Sequence, residues 1–345
     1  MKAVKLYEAG DLRVEDVEIP ELEAGHVLVK VKAVGVCGSD IPRVNFYGAY
    51  RPKLTIGHEF SGEITKVNEG STWKVGDRVV VPPLIPCNRC QWCQSGNYSL
   101  CEDYSYLGSR QDGAMAEYVS VPESNLLNIP PSVPFEAAAM VDPAANAIHA
   151  IWKGSINTGD TVAIYGCGPI GLFAIQFAKI LGAGMVIAID IKDEKLQTAK
   201  ELGADEIINS LEIDPVAKIN EITGKAGANF VLETAGLSVV QNQAVCSAGK
   251  LGRIVILGIS HDKLELSKTA ADNLLRRELE LRGSWNSFSS PFPGKEWTYS
   301  VELMAQGKLI TEPIISHKLS LDEAPEIFKK FLDKNFVFSK VMFLP

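Results

Sequence analysis

Cys87, Cys90, Cys93 and Cys101 constrain this chain more tightly than any other residues in it. Spacings of three, three and eight put four sulfurs within reach of one another on a single loop. Four thiolates at the corners of a tetrahedron suit zinc, a closed-shell ion with no geometric preference of its own. Two disulfides or a chance cluster are the competing readings. Disulfides need an oxidising compartment, and the opening run Met-Lys-Ala-Val-Lys-Leu-Tyr lacks the apolar core of a secretory signal, so a reduced, cytoplasmic chain is expected. Cys37, Cys167 and Cys246 bring the total to seven, an odd number that a reduced chain tolerates. The arithmetic predicts a structural zinc that shapes residues 87–101 rather than performing chemistry.

A chain of 345 residues has material for two domains. Up to about residue 150, short β-like runs at 27–36, 61–67, 78–81 and 116–121 alternate with Gly/Pro turns, the pattern of a partly open β-barrel. From residue 161 the texture changes. Apolar runs at 162–165, 185–190, 207–209, 230–233 and 253–257 are separated by longer stretches. Ile170, Phe173, Ala174, Phe177, Ala178 and Leu181 recur at helical spacing, and 193–202 reads as a helix. Such alternation predicts a doubly wound parallel sheet, hence an α/β protein. A last strand at 278–285 precedes a Ser/Pro-rich stretch at 287–293. Helices at 297–306 and 321–333 and a strand at 338–344 are expected to return to the first lobe. The uncharged run 161–178 is long enough to raise a membrane span. Gly166, Gly168, Pro169 and Gly171 interrupt it, so a strand, a turn and a buried helix are expected instead. A net charge of -8 argues against nucleic acid or anionic membrane as a partner.

Gly166-Cys167-Gly168-Pro169-Ile170-Gly171 follows a predicted strand and opens a predicted helix. Gly166 permits the tight turn, Gly168 lets a pyrophosphate approach the backbone, and Gly171 lets helix and strand pack closely. Exposed N–H groups at the start of the helix favour the phosphates. Asp190 ends the second strand, where a carboxylate accepts from both ribose hydroxyls of a dinucleotide. A helix cap or turn residue is its alternative role. Its charge would repel a 2′-phosphate, which favours NAD over NADP. Lys192 and Lys195 temper that choice, and Lys195 offers another donor to the ribose.

Cys37 lies in Gly-Val-Cys-Gly-Ser-Asp and His58 in Ile-Gly-His-Glu-Phe-Ser-Gly. With Glu59 and Asp142 they make a mixed set of three or four ligands, the kind that leaves a position open for water or substrate. Side chains of adjacent residues diverge, so Glu59 would be a movable or outer ligand. Asp142 would bind directly or through water, or would cap the helix that Pro143 begins. Spacing alone leaves this second metal site open, since a lone cysteine or histidine also serves as an ordinary core residue.

Taken in order, Cys-Gly-Ser-Asp, Gly-His-Glu, the four-cysteine lobe and Gly-Cys-Gly-Pro-Ile-Gly resemble the zinc-dependent medium-chain dehydrogenases, over the whole chain. Cys37-Gly-Ser-Asp-Ile-Pro-Arg43, Leu107-Gly-Ser-Arg-Gln-Asp-Gly113 and the long segment 283–297 look most like the polyol-phosphate branch of that family, with the sorbitol dehydrogenases more distant. The resemblance implies a GroES-like catalytic lobe built from residues 1–150 and 286–345, and a Rossmann NAD-binding lobe at 151–285. It implies two zinc ions per chain, the catalytic one on Cys37, His58 and a carboxylate. The substrate implied is a sugar alcohol phosphate resembling galactitol 1-phosphate, oxidised at a secondary alcohol to a ketose phosphate. Relatives commonly form homodimers or homotetramers through the sheet edge, here 278–285. Position 142 is Asp where the polyol group usually has Glu, one carbon longer. Pro42 stands where sorbitol and alcohol dehydrogenases commonly place a relay histidine, so proton exit is expected to run through Ser39. Arg43 and Arg110 are the candidate phosphate ligands, since a guanidinium presents paired donors; solvated surface arginines or ion-pair partners are the alternative. Asn286, Ser289 and Ser290 would add neutral donors. The same zinc and NAD residues would also serve an unphosphorylated polyol (sorbitol, xylitol) or L-threonine. A non-catalytic nucleotide-binding relative would have no need of Cys37, Ser39 and His58 together.

Overall fold

Val27, Val29, Val31 and Ala33 alternate along the strand His26–Gly35 and are fully buried, which makes that strand the spine of the first half of the molecule. On the other face Leu28 and Val34 are buried too, while Lys30 between them is exposed. The structure is a computed structural model that describes residues 1–260 and 262–345. By contacts the chain divides into two units: 1–142 with 287–307 and 311–345, and 143–286 with 308–310.

In the first unit a seven-stranded sheet runs Leu127–Asn128, Arg78–Val80, Glu59–Val67, His26–Gly35, Lys340–Phe343, Ile315–Leu319. Tyr118–Pro122 pairs with the beginning of His26–Gly35, and Lys340–Phe343 pairs with its end. A strand that changes partners along one edge turns a corner in the sheet, as a partly open barrel requires. A second sheet of Asp11–Asp16, Lys2–Glu8 and Leu54–Thr55 adds Val4, Leu6 and Leu54 to the same core.

The second unit holds a six-stranded parallel sheet in the order Glu206–Asn209, Met185–Asp190, Thr161–Tyr165, Ala228–Glu233, Ala248–Ile256, Glu280–Gly283. The chain starts in the middle, moves outward, then returns across the middle to the other side; this is the doubly wound order. Glu280–Gly283 is an open edge. Its bounds are shorter than the expected 278–285. Among the described residues no helix is long and apolar enough to cross a membrane.

Two boundaries differ from the sequence expectation. The first unit ends at Asp142, not 150, because the helix Val141–Gly154 packs into the second unit: a Cβ on Gly154 would stand 2.3 Å from the Phe230 ring. Lys308–Ile310 also joins the second unit, where Gln176 Nε2 donates to the Ile310 carbonyl at 3.0 Å and Gln176 Oε1 accepts from Ile310 N–H at 2.7 Å. The expected helix 321–333 is a short 3-10 turn, Leu321–Glu323, followed by Ala324–Lys330. Helices Pro215–Ile222, Ser238–Ser247 and Lys268–Arg276 go unmarked in the sequence reading. The first carries a legible signal, Asp214 capping Val216 N–H at 3.0 Å with Pro215 at the first helical position.

The four-cysteine loop grips the segment 287–297. Ser99 Oγ accepts from Phe288 N–H at 2.9 Å, and Ser99 N–H donates to the Phe288 carbonyl at 3.3 Å. Tyr98 meets the Phe292 ring edge-on at 5.3 Å, while Phe288 stacks on the fully buried Trp297 at 5.7 Å. Gly96 has a φ of +76°, and a Cβ there would lie 2.6 Å from Ser290 Cβ. Gly96→Ala is therefore expected to destabilise the fold by about 1–3 kcal/mol through overpacking and backbone strain. A urea titration of both chains measures this, and an unchanged midpoint would show that the grip carries no stability.

Candidate active site

Antiparallel pairing of His26–Gly35 with Glu59–Val67 sets Gly35 opposite Glu59. Cys37 and His58, just beyond those strand ends, are thereby brought side by side. Ligand atoms of Cys37, His58 and Glu59 all lie within 4.8 Å of one another. A sulfur, an imidazole nitrogen and a carboxylate oxygen this close need little adjustment to reach metal bonds of roughly 2.0–2.3 Å. The adjacent His58 and Glu59 share the cluster because the strand begins at Glu59 and the backbone turns at Gly57, whose φ is +93°. Asp142 does not join: it is buried, but its carboxylate is outside the 4.8 Å group, as its shorter side chain would lead one to expect. Burial pushes the Asp142 carboxyl up to about 7; His58 pulls it down and Glu59 pushes it up, so it senses the cluster without entering it.

Three residues that the sequence reading did not single out hold this cluster. Asp40, fully buried, accepts from Cys37 N–H at 3.1 Å through Oδ2, and its Oδ1 faces His58 Nδ1 at 3.5 Å. An acid on Nδ1 leaves Nε2 as the nitrogen free to ligate, the usual device for fixing a metal-binding imidazole. Burial works against charge on His58, yet Asp40 and then Cys37 hold its pKa well above the ordinary value. Tyr106 meets the His58 ring edge-on at 5.6 Å; burial first, then the acids Asp142, Cys37 and Glu59, keep its phenol protonated. Lys340 Nζ donates to Glu59 Oε2 and to the Val36 carbonyl at 2.9 Å. Asp40 was legible as an acid three residues after Cys37. Lys340 was legible as the one charge in an apolar final strand, Ser-Lys-Val-Met-Phe. Ser39 is half-buried, and its hydroxyl donates to Cys37 Sγ at 3.2 Å.

The four cysteines form a second group, also with every sulfur within 4.8 Å of the others. Cys90 and Cys93 are 3.6 Å apart and Cys87 and Cys93 4.0 Å, near the edge of about 3.8 Å that a tetrahedron of 2.3 Å zinc–sulfur bonds has. No pair is bonded as a disulfide. The backbone N–H groups of Cys93 and Glu102 draw the Cys90 thiol down to about 6, and burial pushes Cys93 up to about 12. All donors are sulfur and two are buried, so the group fits a closed site.

In the second unit, Gly166 has a φ of +96°, and a Cβ on Gly171 would stand 1.8 Å from the Gly166 carbonyl. Only hydrogen fits there. A Cβ on Gly168, at the N-terminus of Pro169–Ile180, would meet nothing within 4 Å, so the backbone around Pro169 and Ile170 is open to a ligand. Asp190 fills the turn role: Oδ2 accepts from Cys167 N–H at 2.7 Å, and Oδ1 accepts from Ile191 and Lys192 N–H at 2.8 and 3.1 Å. Lone pairs remain for ribose hydroxyls, so the two roles coexist. Lys195 lies on the next helix, Asp193–Glu201, close enough for its charge to act on Cys167.

Arg43 and Arg110, far apart in sequence, both face Tyr50, with Cζ atoms 5.4 and 5.6 Å from its ring centre. Arg110 also stacks on Tyr104 at 4.1 Å and donates to its carbonyl at 2.9 Å. Arg43 Nε is buried without an acceptor. Ser289 is committed to Glu296 Oε2 at 2.6 Å, and Asn286 belongs to the second unit.

Residues 23–131 match the alcohol dehydrogenase GroES-like domain family, and residues 169–306 match the zinc-binding dehydrogenase family. Galactitol 1-phosphate 5-dehydrogenase of Escherichia coli (strain K12) is 38% identical over 347 residues, covering 100% of both chains. The crystal structure of galactitol-1-phosphate dehydrogenase from Escherichia coli superposes with a TM-score of 0.95 at 37% identity, again over 100% of both chains. Sorbitol dehydrogenase of Bacillus subtilis (strain 168) is 33% identical over 100% of this chain and 97% of its own. This chain is a zinc-dependent medium-chain dehydrogenase. As a member of that family it is an oxidoreductase, and its two sheets are the family's GroES-like and Rossmann-like folds. Asp40→Asn is expected to weaken metal binding at the Cys37–His58 cluster by about 10–100-fold, the usual effect of losing a group behind a metal ligand. Chelator competition measures it, and unchanged affinity would show that Asp40 does not orient His58.

Proposed function

We propose that this chain oxidises a secondary alcohol of a sugar alcohol phosphate to the ketose phosphate, with NAD as oxidant. The meeting of Cys37, His58 and Glu59 within 4.8 Å carries the redox part of this reading. These residues would hold a catalytic zinc, with Asp142 acting through water, and the four cysteines would hold a structural one. Zinc there would make the substrate hydroxyl more acidic, and NAD would accept the hydride. The protein's own residues do the rest. Asp40 fixes the imidazole of His58. Ser39, whose hydroxyl rests against Cys37 Sγ at 3.2 Å, is the half-buried group able to take the substrate proton and pass it to solvent, since Pro42 has no titratable side chain. The Asp190 carboxylate at the end of its strand supports NAD over NADP.

The phosphate part rests on Arg43 and Arg110 at one tyrosine, and on likeness to a galactitol 1-phosphate dehydrogenase. With NAD and a panel of polyols and their phosphates, Arg43→Ala is expected to lower kcat/KM for the phosphates by about 10–100-fold, the worth of a charged hydrogen bond. Unphosphorylated polyols should lose little. Equal losses on both would remove the phosphate role, and a wild-type preference for sorbitol would favour the plain polyol reading. Ser39→Ala should keep both zinc ions by metal analysis while turnover falls about 10²–10⁴-fold; undiminished turnover takes Ser39 out of the scheme.

A further inference from the structure

Three neighbouring strands bring Glu59 to a buried cation. His26–Gly35 lies between Glu59–Val67 and Lys340–Phe343, with Gly35 opposite Glu59 on one side and Met342 on the other. Glu59 reaches across Gly35, and its Oε2 accepts from Lys340 Nζ. Both side chains are 3% exposed. A Cβ on Gly35 would stand 2.7 Å from Glu59 Oε2 and 3.2 Å from Lys340 Cδ. The missing side chain of Gly35 is thus the gap through which the pair forms. The same carboxylate keeps an oxygen within 4.8 Å of the Cys37 sulfur and a His58 nitrogen. It faces the ligand cluster on one side and the ammonium on the other.

We propose that Lys340 is a positioning residue that shares the Glu59 carboxylate with the metal at Cys37 and His58, keeping Glu59 the weakest and most exchangeable of the three protein ligands. Moving Glu59 wholly onto a metal would leave the buried Lys340 ammonium with the Val36 carbonyl but without the acid it pairs with, which proteins avoid. Cys37, His58 and Glu59 would be three protein ligands, which leaves the fourth position of a catalytic zinc open, and the acid shared with an ammonium is the one of the three that can yield. Gly35 and Lys340 then act together, one giving the space and the other the charge. The inference rests on the metal reading made above.

Chelator-competition titration of zinc on the full chain, resolved into its two sites, tests it. With Lys340→Met, Glu59 is free to ligate, and the more weakly held zinc should bind about tenfold more tightly, a shift within the range that groups behind metal ligands exert. Gly35→Ala changes no charge but pushes Glu59 Oε2 off the ammonium, so it should shift affinity in the same direction. A lysine that merely supported the fold would loosen zinc when removed. Unchanged or weaker zinc binding in Gly35→Ala overturns the proposal, and that variant decides alone should Lys340→Met not fold. A wild-type chain that holds only one zinc would instead overturn the function proposed above. Two zincs with unmoved affinities would overturn only the role of Lys340.

Discussion

Gly35 facing Glu59 across an antiparallel pair is the contact on which the candidate site depends. Strand side chains alternate with a period of two, so a slip of one residue would turn Glu59 to the opposite face and separate His58 from Cys37. The register is held by burial. Val27, Val29, Val31 and Ala33 on one strand and Phe60 and Ile64 on the other are excluded from water, and a slip of one would carry the exposed Lys30 and the half-buried Lys32 into their places. Removing a single such side chain from water is worth about 1.5–3 kcal/mol, so several together outweigh any gain from another pairing. Apolar packing thereby decides where the polar chemistry sits.

That chemistry is expensive to bury. Asp40, His58, Glu59, Asp142 and Lys340 are all at most 7% exposed. Isolated buried charges cost several kcal/mol each, and only pairing makes them tolerable. The pairings form two short chains: Cys37 N–H to Asp40 and Asp40 to His58, and Glu59 to Lys340 and Lys340 to the Val36 carbonyl. Acids outnumber cations here. Both the raised His58 and the raised Asp142 record that excess, since each holds its proton more firmly than in water, Asp142 with burial as the larger cause. The four-cysteine loop solves a different problem. Its donors are all alike, it packs on the aromatic residues of 287–297, and its charges, Arg89 with Asp103 and Glu102 with Trp92, are paired on the exposed side. One group mixes sulfur, nitrogen and oxygen donors among buried charges, and the other is sulfur alone.

Much of this was legible in the sequence because the signals were local. The cysteine spacings lie on one loop, and the glycine fingerprint lies on one strand–turn–helix. Both appear where expected, with Gly171 excluded from any larger side chain by the Gly166 carbonyl. What escaped was non-local. Lys340 is separated from Glu59 by 281 residues, and no pattern along the chain says that the last strand returns to lie beside His26–Gly35 at that register. The meeting of Arg43 and Arg110 at Tyr50 is of the same kind. Asp142 lies outside the group of ligand atoms, and the substitution of Asp for the longer Glu already pointed that way. Asp190 shows the opposite error of treating two roles as exclusive: a carboxylate has lone pairs enough to close a turn and still accept from a ligand.

A glycine at position 35 makes sense only through its neighbours. It needs no special backbone freedom, being in an extended strand, and a central strand normally gains from a side chain there. What it supplies is an absence, the volume in which Glu59 and Lys340 meet. Any larger residue would keep the sheet and the core but part the acid from the base. The strand would then fold around a different distribution of charge at Cys37 and His58. The contact between Glu59 and Lys340 therefore depends on a residue with no chemistry of its own, placed between two that have a great deal.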